Sequence, residues 1–411
     1  MRATRVPLLA ALLACVLRGA GPLTLQQALS FAEQNHPLFR IATARIEGAE
    51  AGIVTARAYP NPEAGVLAGH QRARLLGTTP GPAQVFSFSQ PMETPGVRST
   101  RIQSAELGRE SHRYGLEEAR IAVRAAVRQA FYHTLRRKAE LRLAEENQKL
   151  IEDLRRRVQI QVETGEAPRL ELTRADAEVA IARTSAKAAE LRVLTALAAL
   201  RAAANIPSET PIDAQGTLDP PVELPALDAM RGVVLERYPA LQRARTEVRR
   251  AEMRLKNENA QRRPQPTLRS EYEHQPEVAT YRVGVSLPVP LWNKREGPIG
   301  EAAAALRQSN STLDLQQLEI SAALESAYGR YQLASQQLSF YQEGVLKQAE
   351  AALQAAESAY KFGERGIIEV LDAQRVLRGA RSDFLSAQFD RQSALIELDQ
   401  LRALDLMGEK Q

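Results

Sequence analysis

The 411-residue sequence predicts a mainly α-helical protein with a small β part, built from two diverged copies of one unit. Long stretches rich in Ala, Leu, Glu, Gln and Arg, with only 5% aromatic residues, are typical of extended helices and coiled coils. Turn residues recur in the same order, since His36-Pro37-Leu38 matches Tyr238-Pro239-Ala240 and Gly165-Glu166 matches Gly363-Glu364. A repeat of this length indicates a duplicated unit whose halves pack side by side.

The matching turns divide the chain into a first repeat over residues 23–206 and a second repeat over residues 229–405. Residues 207–228, rich in Pro, Asp and Thr, form an inter-repeat segment, and residues 406–411 form a C-terminal tail. Each repeat is predicted to run as a helix, two short strands and then two long helices.

The N-terminus is typical of a secretion signal over residues 1–14, with two early arginines before an apolar run too short to span a bilayer. Leu12-Leu13-Ala14-Cys15 resembles a bacterial lipobox, and Cys15 is the only cysteine, so lipidation at Cys15 is expected. Residues 15–22 would then be a lipidated or flexible linker. The alternative is an ordinary signal sequence, cleaved near Ala20, in which Cys15 has no role.

The first repeat opens with a helix that is predicted to end near Ala58, with a break near Pro37. Two strands are predicted to follow, over residues 63–71 and 84–90. In the second of them, Phe86 and Phe88 alternate with serines, the pattern of a strand with one apolar and one polar face.

The equivalent strands of the second repeat are predicted over residues 266–273 and 280–288. An apolar face opposite a charged face fits either a half-exposed soluble sheet or a transmembrane barrel. Four strands cannot close a barrel, and an open sheet edge cannot lie in lipid. If the membrane interpretation holds, several chains share one barrel, and three chains would supply twelve strands.

A very long helix is predicted after each strand pair, over residues 98–162 and 299–362, and each would be roughly 95 Å long at 1.5 Å per residue. The helices stop at Gly165 and Gly363, where each chain segment turns back as another helix. A coiled-coil seam with steps of three and four is predicted at Leu338, Tyr341, Val345, Gln348, Ala352, Ala355, Ala359 and Phe362.

Enzymatic and nucleic-acid functions find no support in the sequence. The five histidines are scattered without ligand spacing, and neither a phosphate loop nor a nucleophile elbow is present, so we expect no catalysis, no metal site and no cofactor. Arginines are interspersed with glutamates and the net charge is only +5, which is typical of solvated helix faces rather than a nucleic-acid surface.

The two hairpin tips are the most informative segments, namely residues 164–171 and 360–372. Glu369 and Asp372 are three residues apart and therefore lie on one face of the returning helix. Acids in the first turn of a helix are also stabilised by the helix dipole, so a structural role accounts for them as well.

Together with these tips, Pro91–Arg98 and Leu287–Gly297 resemble the strand-to-helix turns of the TolC family of outer-membrane efflux channels. The resemblance is closest to the CzcC- and CusC-like branch that works with heavy-metal RND pumps, and it covers residues 23–406. It implies a homotrimer with a twelve-stranded barrel in the outer membrane of a Gram-negative bacterium and a long periplasmic α-helical coiled-coil tunnel. Residues 207–228 would form its equatorial segment.

The resemblance also implies partners and a function. The chain would be a passive exit duct, in contact with outer-membrane lipid, for an inner-membrane RND transporter and a periplasmic adaptor (membrane fusion protein) that export heavy-metal cations. Drug efflux or type I protein secretion through the same fold is the alternative. A secreted coiled-coil scaffold without a pore is a more distant one.

Residue by residue, the resemblance assigns roles only at the tips. Glu369 and Asp372 match the acidic ring of the periplasmic aperture. Tyr360 and Arg365 match the residues that lock the aperture, and Glu171 matches their acidic partner, so an Arg365–Glu171 ion pair is expected. Adaptor contacts are expected at Gly165, Glu166, Gly363 and Glu364.

Overall fold

The computed structural model describes residues 21–72, 79–218, 220 and 224–404. The predicted signal segment, Cys15 and the C-terminal tail lie outside these described residues. Within them the chain forms nine α-helices, one π-helical turn and six strands, so the prediction of a mainly helical fold with a small β part is confirmed. None of the described helices is long and apolar enough to cross a lipid bilayer.

The elements follow the predicted order in both repeats. Those of the first repeat and the inter-repeat segment are β1 (Gly21–Leu23), α1 (Leu25–Asn35), α2 (Pro37–Arg57), β2 (Glu63–Gln71), β3 (Gly81–Pro91), α3 (Val97–Glu163), α4 (Arg169–Ala204) and β4 (Ile212–Ala214). Those of the second repeat are α5 (Leu227–Arg237), α6 (Pro239–Gln261), β5 (Thr267–His274), β6 (Ala279–Ser286), α7 (Glu296–Phe340), the π turn (Tyr341–Val345), α8 (Leu346–Lys361) and α9 (Ile367–Arg402).

The break expected near Pro37 separates α1 from α2. His36 has an extended backbone, with φ −65° and ψ 128°, because the ring of a following proline disfavours the helical conformation of the residue before it. At the other end of α1, Thr24 and Gln27 form a capping box, in which each side chain accepts a hydrogen bond from the other residue's backbone N–H.

The four longer strands form one antiparallel sheet in the order β2-β3-β5-β6. Its register places Phe86, Tyr272 and Tyr281 side by side on one face, with the two tyrosine ring centroids 4.6 Å apart. On the other face Arg282 forms ion pairs with Glu271 and Glu273, each at 2.8 Å. The alternation seen in the sequence therefore separates an apolar face from a charged face.

A second, smaller sheet was not predicted. β1 pairs with β4 in parallel, with Gly21 opposite Ile212 and Leu23 opposite Ala214. Three-residue strands carry too little alternation to be recognised from sequence, and this pairing joins segments far apart in the chain. It ties the start of the first repeat to the inter-repeat segment.

The described residues divide into two compact units, those within 40–118 and 235–320 and those within 21–39, 119–234 and 321–404. The first of these contains the four-stranded sheet. The second contains the hairpin tips and two apolar cores. One core surrounds Phe131 and Leu200, and the other packs α3, α4, α8 and α9 together near the tips, around Val158 and Ile367.

The predicted seam of α8 is wrong by one residue. Within the chain, α8 packs against its neighbours through Leu346, Ala349, Leu353, Ala356 and Tyr360. Val345, Gln348, Ala352, Ala355 and Phe362 of the predicted set are exposed in the single chain. The physical reason is the π turn, because its wider i to i+5 hydrogen-bonded turn takes up one extra residue and shifts the phase of all that follows.

The residue before each long helix that follows a strand pair has a left-handed backbone. Gly96 precedes α3 with φ +98°, and Arg295 precedes α7 with φ +59°. Arg295 is held there by an ion pair with Glu258, and its N–H donates a hydrogen bond to the Asn293 side chain at 2.9 Å.

The register of α8 can be tested by removing side chains from its two faces. We expect Leu353→Ala to destabilise the protein by about 2–5 kcal/mol, because it leaves a cavity in the core of the tip region. Gln348→Ala, a change at an exposed position of the predicted seam, should alter stability by less than about 0.5 kcal/mol. Thermal unfolding in detergent, followed by circular dichroism, compares the two, and equal losses would contradict the observed register.

Candidate functional site at the hairpin tips

The first hairpin tip is a helix end closed by a glycine. Gly165 has φ +81°, a left-handed conformation that glycine adopts without a Cβ clash. Its N–H donates to the Val162 carbonyl at 3.2 Å, and the Glu166 N–H donates to the Gln161 carbonyl at 2.8 Å. These two bonds form a Schellman motif, which satisfies the last carbonyls of α3 and reverses the chain into α4.

The second tip repeats this geometry. Gly363 has φ +74°, its N–H donates to the Tyr360 carbonyl at 3.0 Å, and the Glu364 N–H donates to the Ala359 carbonyl at 2.9 Å. The predicted adaptor contacts Gly165, Glu166, Gly363 and Glu364 are all exposed. Both turns thus present backbone and glutamate side chains to solvent at the end of a rigid hairpin.

Packing directly beneath the second tip fixes the start of α9. Ile367 is fully buried and Val370 nearly so, in the same core as Val158 of α3 and Val179 of α4. Because these side chains come from both hairpins, the core holds the two hairpins together just beneath their exposed turns.

Tyr360 connects the two hairpins through a neutral hydrogen bond. Its hydroxyl donates to the Gln161 side-chain oxygen at 2.5 Å, joining α8 to α3. Partial burial and, to a smaller extent, the nearby carboxylate of Glu171 raise the pKa of Tyr360 above its usual value. The raised pKa keeps the hydroxyl protonated, and therefore able to donate, throughout the physiological pH range.

Glu171 and Glu369 approach the same glycine from different helices. A methyl group placed on Gly366 would lie 3.7 Å from a carboxylate oxygen of each. Glu171 occupies the first turn of α4 and Glu369 the first turn of α9, where helix dipoles stabilise negative charge. The structure therefore brings three of the predicted gate residues, Tyr360, Glu171 and Glu369, to one place between the hairpins.

Arg365 forms its ion pair with a residue other than the predicted Glu171. Its guanidinium lies 3.9 Å from Glu369, four residues further on, rather than on Glu171. Arg365 lies in the turn, two residues before the first residue of α9, so its side chain reaches Glu369 in the first turn of that helix. Both side chains are largely exposed, so this pair contributes little by itself.

Asp372, the second predicted aperture acid, belongs to a separate ion-pair cluster that is not predicted from the sequence. Arg375 lies 3.3 Å from Asp372 and also pairs with Glu178 of α4, whose side chain is only 15% exposed. The three-residue spacing of Asp372 and Arg375 was a visible signal, whereas the link to α4 required the fold. Arg375 therefore forms a second connection between the hairpins.

Phe362 is predicted from the sequence to be part of the coiled-coil seam. In the structure it lies at the second tip, and 77% of its surface is accessible. Among the described residues, no cluster of histidine, cysteine or carboxylate side chains could hold a metal ion. The described part of the tip region thus consists of exposed turns and of the hydrogen bond and ion pairs that hold them. Such an arrangement is suited to contact with another protein.

A sheet with one apolar and one charged face, combined with two long helical hairpins per chain, defines an outer-membrane channel of the efflux class. The chain belongs to the outer membrane efflux protein family, whose sequence pattern matches residues 28–205 and again residues 231–403. The two matches coincide with the two repeats, and the predicted relationship to this family is confirmed.

Individual relatives agree with this assignment. The chain is 28% identical to the cobalt-zinc-cadmium resistance protein CzcC of Cupriavidus metallidurans over 389 residues, which cover 93% of this chain and 90% of CzcC. It is 26% identical to the nickel-cobalt-cadmium resistance protein NccC of Alcaligenes xylosoxydans xylosoxydans over 74% of this chain and 68% of NccC. The crystal structure of CusC superposes with a TM-score of 0.80 at 19% identity, covering 94% of this chain and 95% of CusC, and shares its fold.

The two kinds of glycine in the second hairpin should respond oppositely to a methyl group. We expect Gly363→Ala to destabilise the tip by about 1–2 kcal/mol, because an L-residue is strained in the left-handed conformation. Gly379→Ala, within α9 and with open space at the Cβ position, should stabilise the helix by about 1 kcal/mol. Hydrogen exchange of amides near each site measures the two effects, and a change of the same sign at both would refute the Schellman assignment.

Proposed function

We propose that this protein is the outer-membrane exit duct of a heavy-metal cation efflux system. The observation that carries the proposal is the 28% identity to CzcC over nearly the full length of both chains. NccC, whose name also records resistance to divalent metals, supports the same substrate class. We infer that the duct is passive, because the members of the outer membrane efflux protein family that it resembles are passive channels.

We infer that three copies form the channel. β2 and β6 are the outer strands of the sheet, so their outward N–H and C=O groups lack partners within the chain's four-stranded sheet. Unpaired strand edges cannot remain in a hydrocarbon layer, whereas pairing β2 of one copy with β6 of the next closes a barrel. Three copies supply twelve strands. The exposed side chains of Val345, Ala352, Ala355 and Phe362, along α8 and at its two ends, offer a further contact between copies.

Gating is proposed to depend on the contacts between hairpins at the tips. Tyr360 bonded to Gln161 and Arg375 paired with Glu178 each join the second hairpin to the first, while Arg365 pairs with Glu369 within the second tip. Exposed pairs contribute about 1 kcal/mol or less, so several must act together, and threefold repetition multiplies them. A periplasmic adaptor that binds the exposed tips more tightly when these contacts are broken would open the duct for an inner-membrane RND transporter.

Deletion of the gene tests the substrate class. We expect the deletion strain to be more sensitive to cobalt, zinc and cadmium salts, and plasmid-borne wild-type protein to restore growth. Sensitivity to drugs or loss of a secreted protein, with unchanged metal tolerance, would instead favour the drug-efflux or type I secretion alternatives and contradict the proposal.

The gate is tested in planar bilayers. Arg365→Ala combined with Tyr360→Phe should raise single-channel conductance several-fold, because the first change removes the ion pair with Glu369 at the start of α9 and the second removes the hydrogen bond to Gln161 between the hairpins. Arg330→Ala is a matched control, since Arg330 pairs with Glu397 on helices of the same unit but far from the tips in sequence. Unchanged conductance in the double variant would exclude this role for Tyr360 and Arg365.

A further inference from the structure

The loop between β6 and α7 continues the apolar pattern of the strand. Tyr281, Val283 and Val285 are exposed on the apolar face of β6, and Leu287, Val289 and Leu291 remain exposed at the same alternate spacing. The run ends at Trp292, after which the sequence becomes polar with Asn293 and Lys294. This sharp change resembles the boundary between hydrocarbon and headgroups rather than a surface facing water throughout.

Trp292 is the only tryptophan of the chain, and 93% of its surface is accessible. A large apolar ring left in water is unfavourable in a monomeric soluble surface, whereas tryptophan is enriched at the interface of lipid bilayers. There its ring contacts the acyl boundary while its indole N–H reaches polar groups. The position of Trp292 at the end of the apolar run fits this boundary.

Three cations that form no ion pair among the described residues lie close to Trp292, two of them in a shared cavity and one along the chain. Arg262 and Arg263, at the end of α6, line the same cavity of about 390 Å³ as Trp292, and Lys294 follows Trp292 closely in the chain. Among the described residues, no ion pair is formed by any of these three side chains. The neighbouring Arg295, by contrast, is neutralised by Glu258.

Within α6, three of the six cations have acidic partners, whereas Arg245, Arg254 and Lys256 form no ion pair among the described residues. Arg243, Arg249 and Arg250 pair with Glu118, Glu110 and Glu247. Glu296 is the acid next to the cluster in sequence, and it lies in the first turn of α7, where the helix dipole already accounts for it. The dipole at the end of α6 favours one cation there, but it does not explain three unmatched cations beside an exposed tryptophan.

We propose that Arg262, Arg263, Trp292 and Lys294, called the junction site, bind the headgroup of an anionic phospholipid in the periplasm-facing leaflet. The proposal rests on the membrane location of the sheet in the proposed function. The apolar run of the β6–α7 loop contacts acyl chains, Trp292 lies at their boundary, and the cations bind the phosphate. Pro288 and Pro290 line the same cavity and restrict the loop backbone, which helps to keep the site formed.

The test uses Trp292 as the sole tryptophan reporter in the full protein reconstituted into bilayers. Two preparations contain equal amounts of phosphatidylglycerol and phosphatidylcholine, with bromine on the acyl chains of one lipid or the other. We expect brominated phosphatidylglycerol to quench Trp292 more strongly. The variant R262Q/R263Q/K294Q should lose this preference, with each cation contributing about a fivefold change in relative lipid binding. R40Q/R45Q/R113Q, which removes the same charge from exposed positions elsewhere, should retain it.

Equal quenching by the two brominated lipids would overturn the junction site while leaving the membrane channel intact. No quenching by either lipid would instead refute the membrane location of the sheet, and with it both proposals. The quenching itself distinguishes a lipid site from a simple phosphate site, because only a bound lipid places brominated acyl chains near Trp292, and a site for free phosphate would give equal quenching by the two lipids.

Discussion

The proposed assembly depends on one constraint, the satisfaction of backbone hydrogen bonds at the edges of a sheet. Each unpaired N–H or C=O in hydrocarbon costs several kcal/mol, and a four-stranded sheet has two open edges. Duplication within the chain supplies two strand pairs, and association between chains would supply the missing neighbours. The same duplication gives each chain two helical hairpins, which the core around Val158 and Ile367 joins near their tips.

Much of this fold is predictable because its signals are local. Short segments of alternating apolar and polar residues predict strands where β2, β3, β5 and β6 are found. Gly165 and Gly363 predict the positions of the two hairpin turns. The π turn was not predictable, since the composition of Tyr341–Val345 does not distinguish a π-helical turn from the α-helix on either side of it. Because the π turn was not predicted, the predicted seam of α8 is off by one residue. One local irregularity thus changes which residues face inward along the rest of the helix.

The site was predicted less completely, because partners chosen in three dimensions leave weak traces in sequence. Tyr360, Glu171 and Glu369 do lie close together. However, Tyr360 donates its hydrogen bond to Gln161, and Arg365 pairs with Glu369 of its own hairpin rather than with Glu171. Contacts made by i, i+3 or i, i+4 spacing could have been anticipated, whereas the link from Arg375 to Glu178 depends on how two hairpins pack. The contacts of the proposed gate, one neutral hydrogen bond and a few ion pairs, are each weak, so they would have to act together.

The two strand-to-helix junctions have diverged in backbone strain. Gly96 adopts its left-handed conformation freely, whereas Arg295 does so at a cost of about 1–2 kcal/mol that its ion pair with Glu258 must offset. The start of α7 thus depends on the side chain of Glu258, whereas the glycine at the start of α3 needs no such partner. Gene duplication therefore left one junction fixed by backbone geometry and one fixed by charge, so the first tolerates no side chain at its key position while the second tolerates no loss of its acidic partner.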